Sequence, residues 1–228
     1  MGAQSGPMTT QTTGQTSSAP GARALDRDPR PLFMAATTTA TEVIGAIRPE
    51  QLTNPTPCAE FDVRDLLGHL VGVVQRVAAM GRGNDPMTVD ALPEVADDGW
   101  ASAWRAAVDD ADDAWRDESA LERTIVLPWA TDSGANALLG YVSEITVHTW
   151  DVAQGTGQHP VWDDETAERA LRLMHQWLPG EHRAEIFAEV RNQMGLDADT
   201  PDAFAAVVPV SDDASPIDRL VAWNGRRP

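Results

Sequence analysis

The chain has 228 residues, of which 42% are apolar, and this is enough to fill the core of one domain. Its formal net charge of −18 repels phosphate backbones and anionic lipids, so the composition argues against nucleic acid and membrane partners. We see no apolar run near the roughly 20 residues of a membrane-spanning helix, and we expect no secretory leader. The single cysteine, Cys58, favours a soluble protein in a reducing cytoplasm.

The two ends of the chain differ in composition. Residues 1–28 are rich in Thr, Ser, Gly and Gln and lack apolar periodicity, which predicts a disordered N-terminal tail. Residues 29–228 are expected to form a single domain with a C-terminal extension from about residue 160. The basic residues are all Arg, a bias typical of hosts with G+C-rich codons such as actinobacteria.

Apolar residues recur with helical spacing in three early segments. The first predicted helix runs from Phe33 to Ile47 and is stopped by Pro49. Asp62 is a good N-cap for a second helix, which ends near Gly81. A third helix is predicted over residues 98–116, with an acidic outer face.

The later segments alternate between strand and helix patterns. Residues 121–129 predict one short strand, and residues 136–154 predict a fourth helix that ends at Gly155. Further helices are expected over 163–179 and 181–194, residues 204–210 predict a second short strand, and Ser215 caps a final helix. The fold class is therefore mainly α, with one or two short strands.

The fourth helix carries the side chains that could bind a metal ion. Glu144 and His148 are four residues apart and share one face, and Asp151 continues the same line. Buried charges need partners, and a divalent cation suits a carboxylate beside an imidazole. His69, in an apolar run of the second helix, is the best third ligand. The spacing also fits a surface salt pair or hydrogen-bonded core histidines.

Other polar residues have weaker predicted roles. Asp151 is expected to orient a ligating histidine or cap the helix end, with acid–base work as an alternative. Arg76 is seven residues after His69 and faces the same way, so it is a candidate for binding an anionic cofactor or substrate. Cys58 is expected to be a structural, inert thiol. The remaining histidines, His159, His175 and His182, are weaker ligand candidates.

Three segments resemble the signatures of one family. The segments TPCAEFDVRDLLGHLVGV, YVSEITVHTWDVAQGTGQ and SPIDRLVAWNGRRP resemble DinB-like metal-binding proteins related to the N-terminal domain of mycothiol-dependent maleylpyruvate isomerase. The resemblance runs from about residue 29 to residue 228. It implies a DinB-like four-helix bundle with additional C-terminal helices. It also implies a mononuclear zinc-type site whose ligands fall on His69, Glu144 and His148.

The resemblance also suggests a mechanism. A zinc ion with three protein ligands would activate a low-molecular-weight thiol, mycothiol in actinobacteria, for S-transfer or thiol-assisted isomerisation of a small electrophile. The isomerase's C-terminal domain is not recognisable in this chain, which leaves its substrate open. Nitrogen–oxygen sites also accept nickel, iron or manganese.

Two alternatives remain at this stage. One is a thiol-independent metal enzyme, a lyase, hydrolase or cyclase, whose substrate pocket would be small, closed and apolar, whereas mycothiol would need an open polar groove. The other is a non-enzymatic metal-binding protein, for which a fourth ligand such as His175 or His182 would close the site. The sequence does not settle oligomeric state.

Overall fold

The structure is a computed structural model that describes residues 28–197 and 204–228. The predicted N-terminal tail, apart from Asp28, lies outside the described residues. Within the described part, the chain forms eight α-helices and one two-stranded sheet, which confirms the mainly α prediction. None of these helices combines the length and the apolar character needed to cross a membrane.

The elements follow one another in a simple order. Their bounds are α1 (Arg30–Gly45), α2 (Val63–Gly81), α3 (Trp100–Ala114), α4 (Ser119–Glu122), β1 (Thr124–Leu127), β2 (Ala130–Ser133), α5 (Gly134–Thr156), α6 (Asp164–Trp177), α7 (Arg183–Met194) and α8 (Pro216–Trp223). Short 3-10 turns at Pro49–Gln51, Pro86–Thr88 and Gly180–His182 lie between them.

Helices α1, α2, α3 and α5 form the bundle. Helix α2 packs against α3 and α5, and α1 packs against α5 and α3, so the four helices enclose one apolar core. Helix α6 then packs on α5, and α8 packs on α6. The expected four-helix bundle with additional C-terminal helices is confirmed.

Two residues explain where α2 begins and why the loop before α3 can pass close to it. The Asp62 side chain accepts a hydrogen bond from the Asp65 backbone N–H, so the predicted N-cap is present. A Cβ atom at Gly72 would lie 2.6 Å from the carbonyl oxygen of Ala91. Gly72 therefore lets the loop before α3 run directly over α2.

Helix α5 is the centre of the molecule. Ser133 caps its start by accepting a hydrogen bond from the Asn136 N–H, and most of its side chains are buried. It ends two residues later than predicted, at Thr156, because the left-handed residue that stops it is Gly157 (φ 69°) rather than Gly155. This length carries both Glu144 and Asp151 on one continuous helix.

The second strand was placed wrongly from the sequence. Strand β1 pairs antiparallel with β2, with Thr124 opposite Ser133, whereas residues 204–210 form no strand in the structure. Within 204–210, the Val208 N–H donates to the Ala222 carbonyl at 2.9 Å, a bond to the end of α8. The hairpin forms because its two strands are separated by a very short connection, so closing it costs little chain entropy.

Candidate metal centre and the adjoining cavity

Three side chains from two helices converge at one carboxylate oxygen. The His69 Nε2 atom on α2 lies 3.1 Å from Glu144 Oε1 on α5, and His148 Nε2 lies 3.4 Å from the same oxygen. One ligand atom from each of these residues lies within 4.8 Å of those of the other two. The structure therefore brings together the three residues that the sequence singled out.

Aromatic packing holds the two imidazoles in place. The rings of His69 and His148 meet edge to face, with centroids 4.8 Å apart. Phe61 stacks on His69 at 5.7 Å, and Phe204 stacks on His148 at 6.2 Å. The side chain of His148 is 5% exposed and that of Glu144 is 24% exposed, so the cluster is reached from the Glu144 side.

The far side of His148 is held by a buried ion pair. His148 Nδ1 lies 3.0 Å from Asp151 Oδ2, and Asp151 is fully buried. Arg226 donates to both oxygens of Asp151, with Nε 3.1 Å from Oδ1 and Nη2 2.8 Å from Oδ2. Because Nδ1 donates to Asp151, the neutral ring presents the lone pair of Nε2 towards Glu144 and His69.

Charge within the cluster shifts the ionisation of its members. Burial alone raises the pKa of the Glu144 carboxyl, but His148 and His69 reverse that effect and hold the pKa well below its ordinary value. Burial alone lowers the pKa of His148, but Glu144 and Asp151 outweigh it and raise the pKa to about 9. Burial lowers the pKa of His69. The carboxyls of Glu144 and Asp151 are therefore both ionised at neutral pH, and the protonated His148 lies between them.

The donor set fits a divalent metal. Tetrahedral zinc with ligands at about 2.0–2.1 Å separates neighbouring ligand atoms by about 3.4 Å, close to the 3.1 and 3.4 Å found here. A metal ion would displace the Nε2 proton of His148, after which Arg226 balances Asp151 and the cation balances the negative charge of Glu144. Imidazole nitrogens and a carboxylate oxygen suit zinc and related ions.

A second group of potential ligands shares His148. Cys58, His148 and Asp151 also have ligand atoms within 4.8 Å of one another. Burial raises the pKa of the half-buried Cys58 thiol to about 11, which opposes thiolate formation. Since Asp151 is already paired with Arg226, this group is poorly suited to a cation.

A cavity of about 300 Å³ opens beside His69 and Glu144. Most of its lining is apolar, and it lies between the bundle and α7. The apolar lining residues are Val73, Trp129, Gly140, Tyr141, Met174, Trp177, Leu178, Ile186, Phe187, Val190, Met194, Leu196 and Phe204. This lining matches the apolar pocket expected of a thiol-independent enzyme more closely than the polar groove expected for mycothiol.

The cavity wall contains buried polar atoms with no hydrogen-bond partner. These atoms are the Oη of Tyr141, the Oγ of Ser143 and the Nε of Arg76. The Nη2 of Arg76 makes a 3.3 Å hydrogen bond to the Val89 carbonyl. Arg76 thus faces the same cavity as His69, as the seven-residue spacing predicted.

The other histidines lie outside the cluster. His175 packs against the Trp223 indole with ring centroids 4.1 Å apart, and His182 pairs with Glu185 at 2.9 Å. In the described part of the chain, neither belongs to a group of potential ligands within 4.8 Å of one another. Neither histidine, among the residues that the structure describes, therefore supplies the fourth protein ligand that a purely metal-binding role would use.

Comparison with known proteins agrees with this geometry. The family profile of the mycothiol maleylpyruvate isomerase N-terminal domain matches residues 33–153, which include His69, Glu144 and His148. The chain belongs to this family. The resemblance to DinB-like proteins is thereby confirmed, and the family is metal-binding in general.

Two relatives and the solved structures complete the comparison. The chain is 28% identical over 185 residues to proteins described as uncharacterized from two Mycobacterium tuberculosis strains, CDC 1551 / Oshkosh and ATCC 25618 / H37Rv. Each alignment covers 81% of this chain and 90% of the relative. No solved structure matches the chain significantly.

Sequence reasoning missed several residues around the site. Arg226 lies 75 positions after Asp151, and its only signal was the tail that resembles the family ending. Tyr141 precedes Glu144 by three residues and lines the same cavity, but an aromatic residue on a buried helix does not by itself indicate a site. Phe61 and Phe204 carry no local pattern that distinguishes them from ordinary core residues.

Proposed function

We propose that this protein is a metal-dependent enzyme that holds one divalent cation, preferably zinc, on His69, Glu144 and His148. The proposed reaction activates a low-molecular-weight thiol such as mycothiol for S-transfer to, or isomerisation of, a small electrophilic substrate. We place it in the reducing cytoplasm, where such thiols are kept in the reduced form. The observation that carries the proposal is the convergence of three ligand atoms at one end of an apolar cavity.

The chain's own residues have separable roles in this proposal. His69, Glu144 and His148 hold the cation, and a bound cation lowers the pKa of a nucleophile at its open position. Asp151 is a positioning residue, since its bond to His148 Nδ1 fixes the ring so that Nε2 faces the ligands. The apolar cavity walls exclude water from the bound substrate.

The family supports the thiol in this proposal. The matched profile is named for a mycothiol-dependent isomerase, and the relatives come from Mycobacterium, an actinobacterium. A thiol must reach the cluster from outside, and Glu144 is the partly exposed member. The thiol would therefore approach on the Glu144 side, where the cavity also opens.

The lining of the cavity favours a second candidate function. A space of about 300 Å³ bounded mainly by aromatic and aliphatic side chains is small and apolar for a polar sugar thiol. It would suit a thiol-independent lyase, hydrolase or cyclase that acts on an apolar small molecule. In that case water or the substrate itself would be the group that the cation activates.

One assay separates the two candidates. Metal-loaded protein is mixed with mycothiol and chlorodinitrobenzene, and thiol consumption is followed with a thiol reagent. The thiol-dependent proposal predicts consumption above background that disappears in His148→Ala. The matched control is His182→Ala, because His182 is exposed and distant from the cluster.

The same samples also test the second candidate. They are assayed without thiol for hydrolysis of the apolar ester p-nitrophenyl octanoate. If metal-loaded protein consumes no thiol above background but hydrolyses the ester in a His148-dependent way, the thiol proposal is wrong and the second candidate holds. If stoichiometric metal binds and neither activity appears, both enzymatic proposals fail for these reactions.

A further inference from the structure

The cavity is lined by three residues, Arg76, Tyr141 and Ser143, that each carry a buried polar atom without a hydrogen-bond partner in the described part of the chain. The Oη of Tyr141 and the Oγ of Ser143 are buried without a partner, in residues that are only 5% and 1% exposed. The Nε of Arg76 is likewise buried without a partner. Buried polar atoms are nearly always hydrogen-bonded, so groups left unpaired at a cavity indicate a ligand that pairs with them.

Arg76 is separated from the candidate metal cluster along α2. His69, Val73 and Arg76 all line the cavity, and they follow one another on one face of the helix. The seven residues from His69 to Arg76 correspond to about 10 Å along the helix axis. The cavity thus has a metal-ligating end, an apolar middle at Val73 and a cationic end.

The opposite wall is contributed by α7 and is apolar apart from Arg191. Ile186, Phe187, Val190 and Met194 recur with helical spacing, and all four line the cavity. Helix α7 makes its main contact with the short 3-10 turn that precedes it. Its apolar side therefore faces cavity space, and an apolar ligand would bury it.

We infer that the cavity binds an amphipathic monocarboxylate, with its carboxylate on Arg76 and Tyr141 and its hydrocarbon body between Val73 and α7. This inference rests on the proposed function, because it places the reacting end of the same molecule at the His69–Glu144–His148 cluster. It names the substrate class of that site, an acid with an aliphatic or aromatic body.

The chemistry of the cationic end favours a carboxylate. A guanidinium group matches the planar geometry of a carboxylate, so one carboxylate can accept from the Nε–H, which has no partner among the described residues, and from a terminal N–H of the same side chain. The phenol of Tyr141 stays protonated, since burial raises its pKa, so its hydroxyl is available as a donor. Arg191 on α7 also lines the cavity but takes part in another interaction, so Arg76 is the guanidinium assigned to a single carboxylate, and the chain's strongly acidic surface repels more highly charged anions.

Isothermal titration calorimetry with octanoate, and with octan-1-ol as the uncharged comparison, tests the inference. Both ligands are titrated into metal-loaded and chelator-treated protein. We expect octanoate to bind both forms and at least about tenfold more tightly than octan-1-ol, because a hydrogen-bonded charge is worth more than a neutral group. Octanoate binding only to metal-loaded protein would mean that the carboxylate ligates the metal, and the inference would be wrong.

Variants then locate the carboxylate. Arg76→Gln is expected to weaken octanoate binding at least about tenfold and to leave octan-1-ol binding unchanged. Tyr141→Phe, a conservative variant, is expected to weaken octanoate binding by several-fold. The matched control is Arg105→Gln, since Arg105 is exposed on α3 and should leave both affinities unchanged. Unchanged octanoate affinity in both Arg76→Gln and Tyr141→Phe would overturn the inference.

Failure of this inference is distinguishable from failure of the proposed function. Metal content is measured in each sample by elemental analysis. Stoichiometric metal without Arg76-dependent octanoate binding rejects the substrate class and keeps the metal centre. Arg76-dependent octanoate binding in a protein that takes up no metal rejects the metal-dependent activity and keeps the carboxylate site.

Discussion

The two sides of His148 differ in how their polar groups are satisfied. On one side, Asp151 and Arg226, which we call the back wall, form a buried pair bonded through both carboxylate oxygens. On the other side, Arg76, Tyr141 and Ser143, which we call the cavity wall, bury polar atoms that have no partner. Both walls adjoin the cluster of His69, Glu144 and His148, so they can be compared within one site.

This contrast separates orienting groups from groups that await a ligand. A fully bonded buried charge pair is fixed in position and fixes the ring it touches, which is what the His148 imidazole requires. Unpaired buried groups destabilise the protein without a ligand, and they persist at sites where a ligand supplies the missing bonds. Stability measurements on the two walls should therefore respond in opposite directions.

The largest expected effect is on the back wall. Arg226→Met removes the guanidinium that bonds both oxygens of the buried Asp151 and leaves only His148 bonded to that carboxylate, which should lower the free energy of unfolding by about 3–5 kcal/mol. Urea denaturation measures the change. Arg227→Met is the matched control, because Arg227 is exposed and its loss should change stability by less than about 0.5 kcal/mol. Equal losses in the two variants would show that the back wall is not a tight pair.

A steric change at the edge of the cavity should have a smaller effect. A Cβ atom at Gly140 would collide with the Trp177 indole, so Gly140→Ala should cost about 1–3 kcal/mol of stability and displace Trp177. Gly45→Ala meets open space at the end of α1 and should stabilise by about 0.4–1 kcal/mol. Thermal unfolding followed by circular dichroism compares the two. A Gly140→Ala protein as stable as Gly45→Ala would contradict the close packing described here.

The cavity wall should respond with the opposite sign to the back wall. Tyr141→Phe removes a buried hydroxyl with no partner and should raise the free energy of unfolding of ligand-free protein by about 1 kcal/mol. Urea denaturation in ligand-free buffer measures the change. A marked loss of stability instead would mean that the hydroxyl is already satisfied, and the contrast between the walls would fail.

The smallest effect concerns Cys58, which lies against the back wall. Burial raises its pKa to about 11, so at pH 8 about one thiol in a thousand is ionised, and alkylation of the folded protein should be slow. The thiolate fraction, and with it the alkylation rate, should rise with pH towards 11. Iodoacetamide labelling followed by mass spectrometry measures the rate, with urea-unfolded protein as the reactive control. Fast labelling at pH 7 would identify Cys58 as an activated thiol.

Local patterns were enough to predict most of the fold. Asp62 and Ser215 were predicted as caps from residue type alone, and both cap hydrogen bonds are present. The strand predicted over 204–210 was wrong because its apolar pattern indicates burial, while pairing depends on which segment lies alongside. Residues 130–133 follow β1 closely in the chain, and they form the strand that pairs with it.

The residues of the candidate site that lie on one helix were the easiest to predict from the sequence. Glu144, His148 and Asp151 share a face of α5, so helical spacing alone predicted that their side chains are neighbours. His69, on another helix, was predicted from the apolar run around it, and the family resemblance points to the same residue. Arg226 lies at the far end of the chain and reaches Asp151 only through the packing of α8, which no local pattern encodes.

Elemental analysis of the purified protein and four variants tests the central claim most directly. The account predicts about one equivalent of divalent metal in the wild-type chain, in His182→Ala and in Cys58→Ser. It predicts loss of that metal in His69→Ala and His148→Ala. Metal retained in His69→Ala but lost in Cys58→Ser would assign the ion to the Cys58–His148–Asp151 group and would contradict the account, as would wild-type protein that takes up no metal.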